Sequence, residues 1–258
     1  MSAAIELGDI TVTWDSPKGA MTVLEGFDLS VEPGSFVAIV GPSGCGKSTI
    51  LRVLAGLLEP QSGHVEVGGI SAIGRPGLCA WMPQHDALLP WRTVEANASL
   101  GAEVAGLDKA VARRNAAEIL ARLGIGEVGD RWPSELSGGM RQRVAVARTL
   151  LSPAPVLLLD EPFGALDALT RREVQSWLQQ VLDSETAPDG QNRTVLLVTH
   201  DVEEALLLAE RVIVLSNAPA RIVADLHVDF PFPRANSLVA DKRFVELRLE
   251  VLQALGIE

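Results

Sequence analysis

The chain is 258 residues long and carries 33 acidic against 22 basic residues, a net charge of −11 that opposes broad, non-specific binding to nucleic acid or anionic lipid. Hydrophobic residues make up 47% while aromatics are only 4% and Tyr is absent, so one large core must be built from Ala, Leu and Val, which suits a parallel sheet under helices. The richest apolar stretches, such as 205–209 and 212–215, are separated by Glu210 and Arg211 and fall short of the about 20 residues a membrane-spanning helix needs.

The opening MSAAIELGDI has neither the basic nor the apolar region of a secretory signal, so the chain reads as soluble and cytoplasmic. Residues 5–40 alternate short apolar runs with Gly, Pro and Asp, the pattern of strands and turns, with one strand at 11–14 ending on Trp14. Residues 35–40 are a continuous apolar run that feeds a glycine loop and then a helix over 47 to about 57. Further strands are expected at 63–67 and 78–82. From about Trp91 to Arg131 the pattern turns to Ala-rich helices, 93–104 and 108–123, the second capped by Asp108. Strand character returns at 156–160, 194–199 and 211–215 with helices between, an alternation that argues for an α/β parallel core. Residues 184–193 form a polar Pro/Gly loop with no assignable chemistry, and the end of the chain carries a PFP tripeptide and a helix over 241–255. Cys45 and Cys79 read as free thiols in a reducing compartment. The basic pairs Arg113–Arg114, Arg141 with Arg143, and Arg171–Arg172 read mostly as solvated helix faces.

Residues 41–49 are GPSGCGKST, in which Gly41, Gly44, Gly46, Lys47 and Ser48 satisfy G-x-x-x-x-G-K-[ST]. Glycines let the backbone of such a loop, Ser43 and Cys45 included, curl so that successive N–H groups meet phosphate oxygens ahead of a positive helix N-terminus. Lys47 is expected to reach the β- and γ-phosphates of ATP, Ser48 to ligate Mg²⁺, and Thr49 to support the α-phosphate. The strand 156–160 ends on Asp160, placed to hold Mg²⁺ through water, and Glu161 follows before Pro162. A residue before proline is kept out of the α region, so Glu161 is expected to stay extended, with its carboxylate polarising an attacking water. LSGGM at 136–140 precedes an Arg- and Ala-rich helix over 140–150, with Ser137 as its natural cap.

The ordered set of GPSGCGKST, Gln84, LSGGM, VLLLDEP and His200 resembles the ATP-binding cassette (ABC) family across nearly the whole chain, from about Ile5 to Val223. The resemblance implies an α/β fold: a P-loop NTPase core with a mostly parallel sheet, an N-terminal antiparallel β subdomain and an inserted α-helical subdomain. Residues of about 5–86 and 138–224 would form the core, 87–137 the helical part and 225–258 a tail. It also implies that Ser137, Gly138 and Gly139 contact the γ-phosphate held by a second copy of the chain, and that Asp167, in GALD, lies in a loop crossing that dimer interface. Ala165 there replaces a frequent Ser. Gln84 becomes a sensor of Mg²⁺ and the lytic water, and His200 a switch that bonds the γ-phosphate and orients Glu161. Trp14 stands for the family's adenine-stacking aromatic, with Phe27 as the weaker alternative, while His64, His85 and His227 read as structural.

LLPWRTVEAN at 88–97, EPFGALDALTR and VTHDVEEALLLAERVIVLS resemble importer ATPases of the nitrate, sulfonate, taurine and pyrimidine-precursor group. In such importers the groove near Gln84 and Leu88 to Trp91 receives a short helix of the integral membrane permease. A periplasmic or lipid-anchored solute-binding protein is then an indirect partner, and the chain sits at the cytoplasmic face of the membrane. The alternatives are an exporter subunit, or a soluble cassette ATPase acting on DNA or ribosomes. The acidic charge and the lack of coiled-coil inserts or basic arms oppose nucleic acid as a partner.

Overall fold

The computed structural model describes residues 4–16, 19–184 and 192–257. Strand β1 (Ile5–Ser16) pairs antiparallel with β2 (Gly19–Val31), and β3 (Phe36–Val40) leads through the glycine loop into α1 (Lys47–Leu54). Next come β4 (Ser62–Val67), β5 (Ile70–Ser71) and β6 (Cys79–Met82). Four helices follow: α2 (Val94–Ala98), α3 (Leu100–Val104), α4 (Lys109–Arg122) and α5 (Gly138–Leu150). The chain then alternates β7 (Val156–Asp160), α6 (Ala168–Ser184), β8 (Thr194–Val198), α7 (Val202–Leu208) and β9 (Arg211–Leu215). It closes with β10 (Ile222–His227) and α8 (Lys242–Ala254).

Two sheets result, an antiparallel one in the order β2-β1-β4-β5 and a six-stranded one in the order β10-β9-β3-β8-β7-β6. In the second, every pairing is parallel except β10 with β9, so the mostly parallel core and the N-terminal antiparallel sheet both match expectation. Strands β3, β7 and β8 are buried at every position, which is why they are continuous aliphatic runs without polar alternation. Side chains still alternate between the faces. Val37, Ile39, Leu158, Leu196 and Ile213 enter a core shared with α1 and the antiparallel sheet. Ala38, Val40, Leu157, Leu159 and Val214 enter a second core with α5 and α7. Each of these Val, Leu and Ile side chains contributes about 1.5–3 kcal/mol by leaving water. Because β3, β6, β7 and β8 run the same way, their carboxyl ends share one edge, where open α/β sheets form their binding crevice.

The structure departs from the sequence expectations in several places. Helix 93–104 is divided at Ser99, whose hydroxyl donates to the Ala96 carbonyl at 3.4 Å and to Glu103 at 2.7 Å, the back-bonding that bends helices. Helix α1 stops at Leu54, and the Leu57 and Leu58 N–H groups fold back onto the Arg52 carbonyl. Strand β10 spans the 224/225 boundary expected for the tail, and α8 buries Phe244 and Val251 in the main core while Arg248 pairs with Glu203 of α7 at 2.6 Å. Half of the basic residues expected to be solvated are structural. Arg141 pairs with Asp86 at 2.9 Å, Arg143 donates to the Leu123 carbonyl, and Arg171 to the Leu166 carbonyl, because each guanidinium faces carbonyls or a carboxylate left open by a neighbouring loop. Arg113, Arg114 and Arg172 are exposed as expected. Residues 185–191 of the polar 184–193 stretch lie outside the described residues. Cys45 and Cys79 are unbridged, and among the described residues no helix is long and apolar enough to cross a membrane.

Candidate functional site

Helices α2, α4, α5, α7 and α8 begin with side-chain caps from Thr93, Asp108, Ser137, Asp201 and Asp241. Helix α1 begins at Gly46 without one, so its first N–H groups remain available to an anion at the positive end of the helix. Gly44 and Gly46 adopt φ of 77° and 120°, where side chains are strained, and a Cβ on Gly46 would press to 3.0 Å from Val23 of β2. Lys47 Nζ donates to the carbonyls of Gly41 and Pro42 at 2.8 and 2.9 Å, so the ammonium is anchored at the loop's centre with a third proton in hand. Ser43, Gly44, Gly46, Lys47, Ser48 and Thr49 line a cavity of about 360 Å³ with Trp14, Met21, Val23, Gln84 and Glu161. Gly41 and Cys45 lie beneath the loop instead, with Cys45 packed into the core around α1.

The carboxyl end of β7 brings the acidic pair to this cavity. Ser48 Oγ donates to Asp160 Oδ1 at 3.1 Å, across 112 residues of sequence. Burial raises the Asp160 pKa, the Ser48 hydrogen bond opposes that, and the neighbouring Glu161 charge adds to it. Glu161 is gripped on both oxygens: Gln84 Nε2 donates to Oε2 at 3.1 Å, and His200 Nδ1 lies 3.3 Å from Oε1. The expectation of an extended Glu161 is overturned, since its φ is +48°. Its N–H donates to the Val198 carbonyl at 2.8 Å, and its own carbonyl accepts from Gly164 N at 3.2 Å and Gln142 Nε2 at 3.0 Å. Those bonds hold a left-handed residue whose strain costs about 1–3 kcal/mol.

Trp14 lies opposite Met21 in the β1–β2 ladder and on the same strand face as the buried Val12, so the face that packs the core extends its indole over the cavity. Phe27 is buried in the antiparallel sheet core and cannot stack on a ligand. Ser137, Gly138 and Gly139 do not line the cavity of their own chain. Ser137 caps α5 through Met140 N at 3.3 Å, leaving Gly138 exposed and Gly139 half-buried. Asp167 caps α6 through Leu169 N and Thr170 N. His64, His85 and His227 are exposed surface residues, and the His64 ring lies across Gly8.

Several side chains that organise this site escape sequence reasoning. Gln142, buried in α5, donates to the Glu161 carbonyl and accepts from Ala165 N at 2.7 Å. Arg141 and Arg148, seven apart and so on one helix face, clamp the segment after Gln84 through the Asp86 carboxylate and the carbonyls of Asp86 and Ala87. Asn97 is fully buried and holds the loop before α2 by bonds to Leu89 N and to the carbonyls of Leu89, Arg92 and Thr93. For Asn97 the available signal was an amide side chain set between Ala96 and Ala98.

The family model described as ABC transporter matches residues 24–164. The aliphatic sulfonates import ATP-binding protein SsuB 1 of Rhodococcus jostii (strain RHA1) is 50% identical, over 83% of this chain and 80% of that protein. The taurine import ATP-binding protein TauB of Chromobacterium violaceum is 40% identical, over 97% of this chain and 95% of its own. Among solved structures, a dimeric ATP-binding cassette in a post-hydrolysis state bound to ADP and Pi superposes with a TM-score of 0.76 at 28% identity, over 88% of this chain and 100% of that one. The glycine loop at a bare helix start, the acidic pair at the end of β7 and these relatives together lead to one conclusion: the chain belongs to the ABC transporter family, as one of its ATPase cassettes.

Proposed function

We propose that the chain works as one of two copies that close over two ATP molecules, and that this closure drives a membrane importer of a small anionic solute. The observation that carries the reading is the grip on Glu161, whose two carboxylate oxygens are held by Gln84 and His200 at the mouth of the glycine-loop cavity. In this role the loop N–H groups and Lys47 bind the phosphates, Thr49 supports the α-phosphate, and Trp14 stacks on the adenine. Glu161, fixed by its two partners, polarises the attacking water.

The donor set suits Mg²⁺. Among the described residues no cluster of three or more His, Cys, Asp or Glu stands ready for a metal, but Ser48, Asp160 and Gln84 offer a hydroxyl, a carboxylate and an amide oxygen. Such hard oxygen donors match an ion that keeps several waters and binds substrate phosphates. Bound there, Mg²⁺ would neutralise charge developing on the phosphates.

Ser137, Gly138, Gly139 and Asp167 are absent from their own chain's cavity, which supports their service to the ATP of the second copy. ADP lacks the γ-phosphate those groups and His200 read, so hydrolysis removes the contacts that favour the closed pair. In this reading residues of about 5–86 and 138–224 form the nucleotide-binding core, 87–137 the helical lobe and 225–258 the tail. Trp91 is 71% exposed on the loop that Asn97 organises, beside Leu88. It offers an aromatic anchor for a helix of the permease, which would hold the chain at the cytoplasmic face. The sulfonate and taurine importers among its relatives support a cargo that carries an anionic group such as a sulfonate, delivered by a solute-binding protein.

Two measurements test this. Glu161→Gln should accumulate an ATP-bound dimer with Mg²⁺, and a variant that stays monomeric would sink the split site. Purification from native membranes in mild detergent should bring a multi-spanning protein in stoichiometric amount. Recovery with ribosomes or DNA-associated proteins instead would leave the ATPase reading standing and overturn transport.

A further inference from the structure

We infer that Gln142 is a positioning residue for hydrolysis, tying the start of α5 to Glu161 of the same chain. The inference rests on the proposed split site and concerns how its two halves communicate. Gln142 is 5% exposed and spends its amide on one segment: Nε2 donates to the Glu161 carbonyl at 3.0 Å, and Oε1 accepts from Ala165 N at 2.7 Å. These bonds bracket the turn that carries Glu161, Pro162 and Gly164, itself closed by Gly164 N on the Glu161 carbonyl at 3.2 Å.

The strain in that turn gives the contact its importance. Glu161 holds a φ of +48° without being glycine, so it persists only while its surroundings over-determine it. On one side Val198 accepts its N–H at 2.8 Å, and on the other Gln142 and Gly164 share its carbonyl. Gln142 alone among these comes from α5, the helix whose first residues are Gly138 and Gly139. It lies five residues beyond Ser137, about 7.5 Å along the helix. Gly139 also runs close to this segment, since an added Cβ there would lie 3.4 Å from the Ala165 carbonyl. Helix start, Gln142 and the segment from Glu161 to Ala165 therefore move as one body. When Ser137 and its glycines close on the ATP of the partner copy, Gln142 carries that docking to the Glu161 peptide, which acts in the chain's own site. One copy's nucleotide thus sets the geometry of the other's hydrolysis.

The test compares Gln142→Met, which keeps the length and removes both bonds, with the wild type and with Glu161→Gln. Gln142→Met should lower kcat by about 10- to 100-fold, the scale of one lost positioning contact, with the KM for ATP within about twofold. With ATP and Mg²⁺ it should accumulate dimer as Glu161→Gln does, because closure survives while turnover fails. An unchanged kcat overturns the proposal. So does a slow variant that stays monomeric, which would assign Gln142 to closure, or one whose melting temperature collapses in parallel with kcat. Gln142→Glu supplies a second readout. Its protonated carboxyl reproduces both bonds and its ionised form cannot donate to the Glu161 carbonyl, so its kcat relative to wild type should fall as pH rises. A flat ratio argues against positioning. If Glu161→Gln itself stays monomeric, the split-site reading fails, and kcat, KM and the pH ratio still decide the role of Gln142.

Discussion

Glu204 of α7 is a carboxyl that the fold buries, and replacing it with Gln should make the protein more stable above neutral pH. The side chain is 5% exposed, accepts from Gln175 Nε2 at 3.1 Å, and has its pKa pushed from 4.5 to about 7. Desolvation is the main cause; the Asp201 charge adds to it, while the Thr199 and Gln175 hydrogen bonds and Arg171 oppose it. Below pH 4.5 both folded and unfolded chains hold the proton, and Glu204 adds no pH dependence. Between 4.5 and about 7 the folded chain keeps a proton that the unfolded chain releases, so stability falls as pH rises, and above about 7 the full cost remains. At about 1.4 kcal/mol per tenfold change in proton affinity, that cost reaches about 3 kcal/mol. In Glu204→Gln the amide oxygen still accepts from Gln175 and nothing ionises. Urea unfolding from pH 5 to pH 8.5 should show the variant losing this component of the slope and gaining up to about 3 kcal/mol at the alkaline end, or about 6–10 °C in Tm. Asp160 titrates in both proteins and cancels in the comparison. Parallel pH profiles, or a variant less stable than wild type at pH 8.5, would refute the reasoning.

Trp14→Ala should weaken ATP binding by about 1–3 kcal/mol, the range for one lost base–aromatic stack, while Trp14→Phe retains most of the affinity; equilibrium binding of a fluorescent ATP analogue measures both, and an unmoved Trp14→Ala would place the adenine elsewhere. Arg234 is a core guanidinium that donates to the carbonyls of Leu206, Ala209, Val228 and Phe230 and stacks 4.1 Å from the Phe232 ring. Burial lowers its pKa to about 10, which leaves it charged at neutral pH. Arg234→Met should cost at least about 3 kcal/mol in chemical denaturation, because buried carbonyls lose their donors, and a loss under about 1 kcal/mol would show that water replaces them.

Elements whose reasons are local were legible in the sequence. The aliphatic runs of β7 and β9, the glycine loop before α1, and the caps at Asp108 and Ser137 all depend on residues within a few positions of each other. So does the placing of Lys47 in a glycine loop and of Asp160 and Glu161 at a strand end, whereas His200 was singled out only by the resemblance to the family. Tertiary structure alone decided what depends on strand order. The Ser48–Asp160 and Gln84–Glu161 contacts join residues 112 and 77 positions apart, and no periodicity encodes that. The same holds for choosing between Trp14 and Phe27, since β1 and β2 share one sheet and only packing tells which aromatic faces the cavity. Helix α8 looked like an appendage because its sequence is amphipathic, and amphipathicity does not name the surface it covers. Glu161 reversed its expected conformation for the same reason. A pre-proline preference is only a local bias, and two long-range hydrogen bonds from β8 and α5, with a third across its own turn, outweigh it.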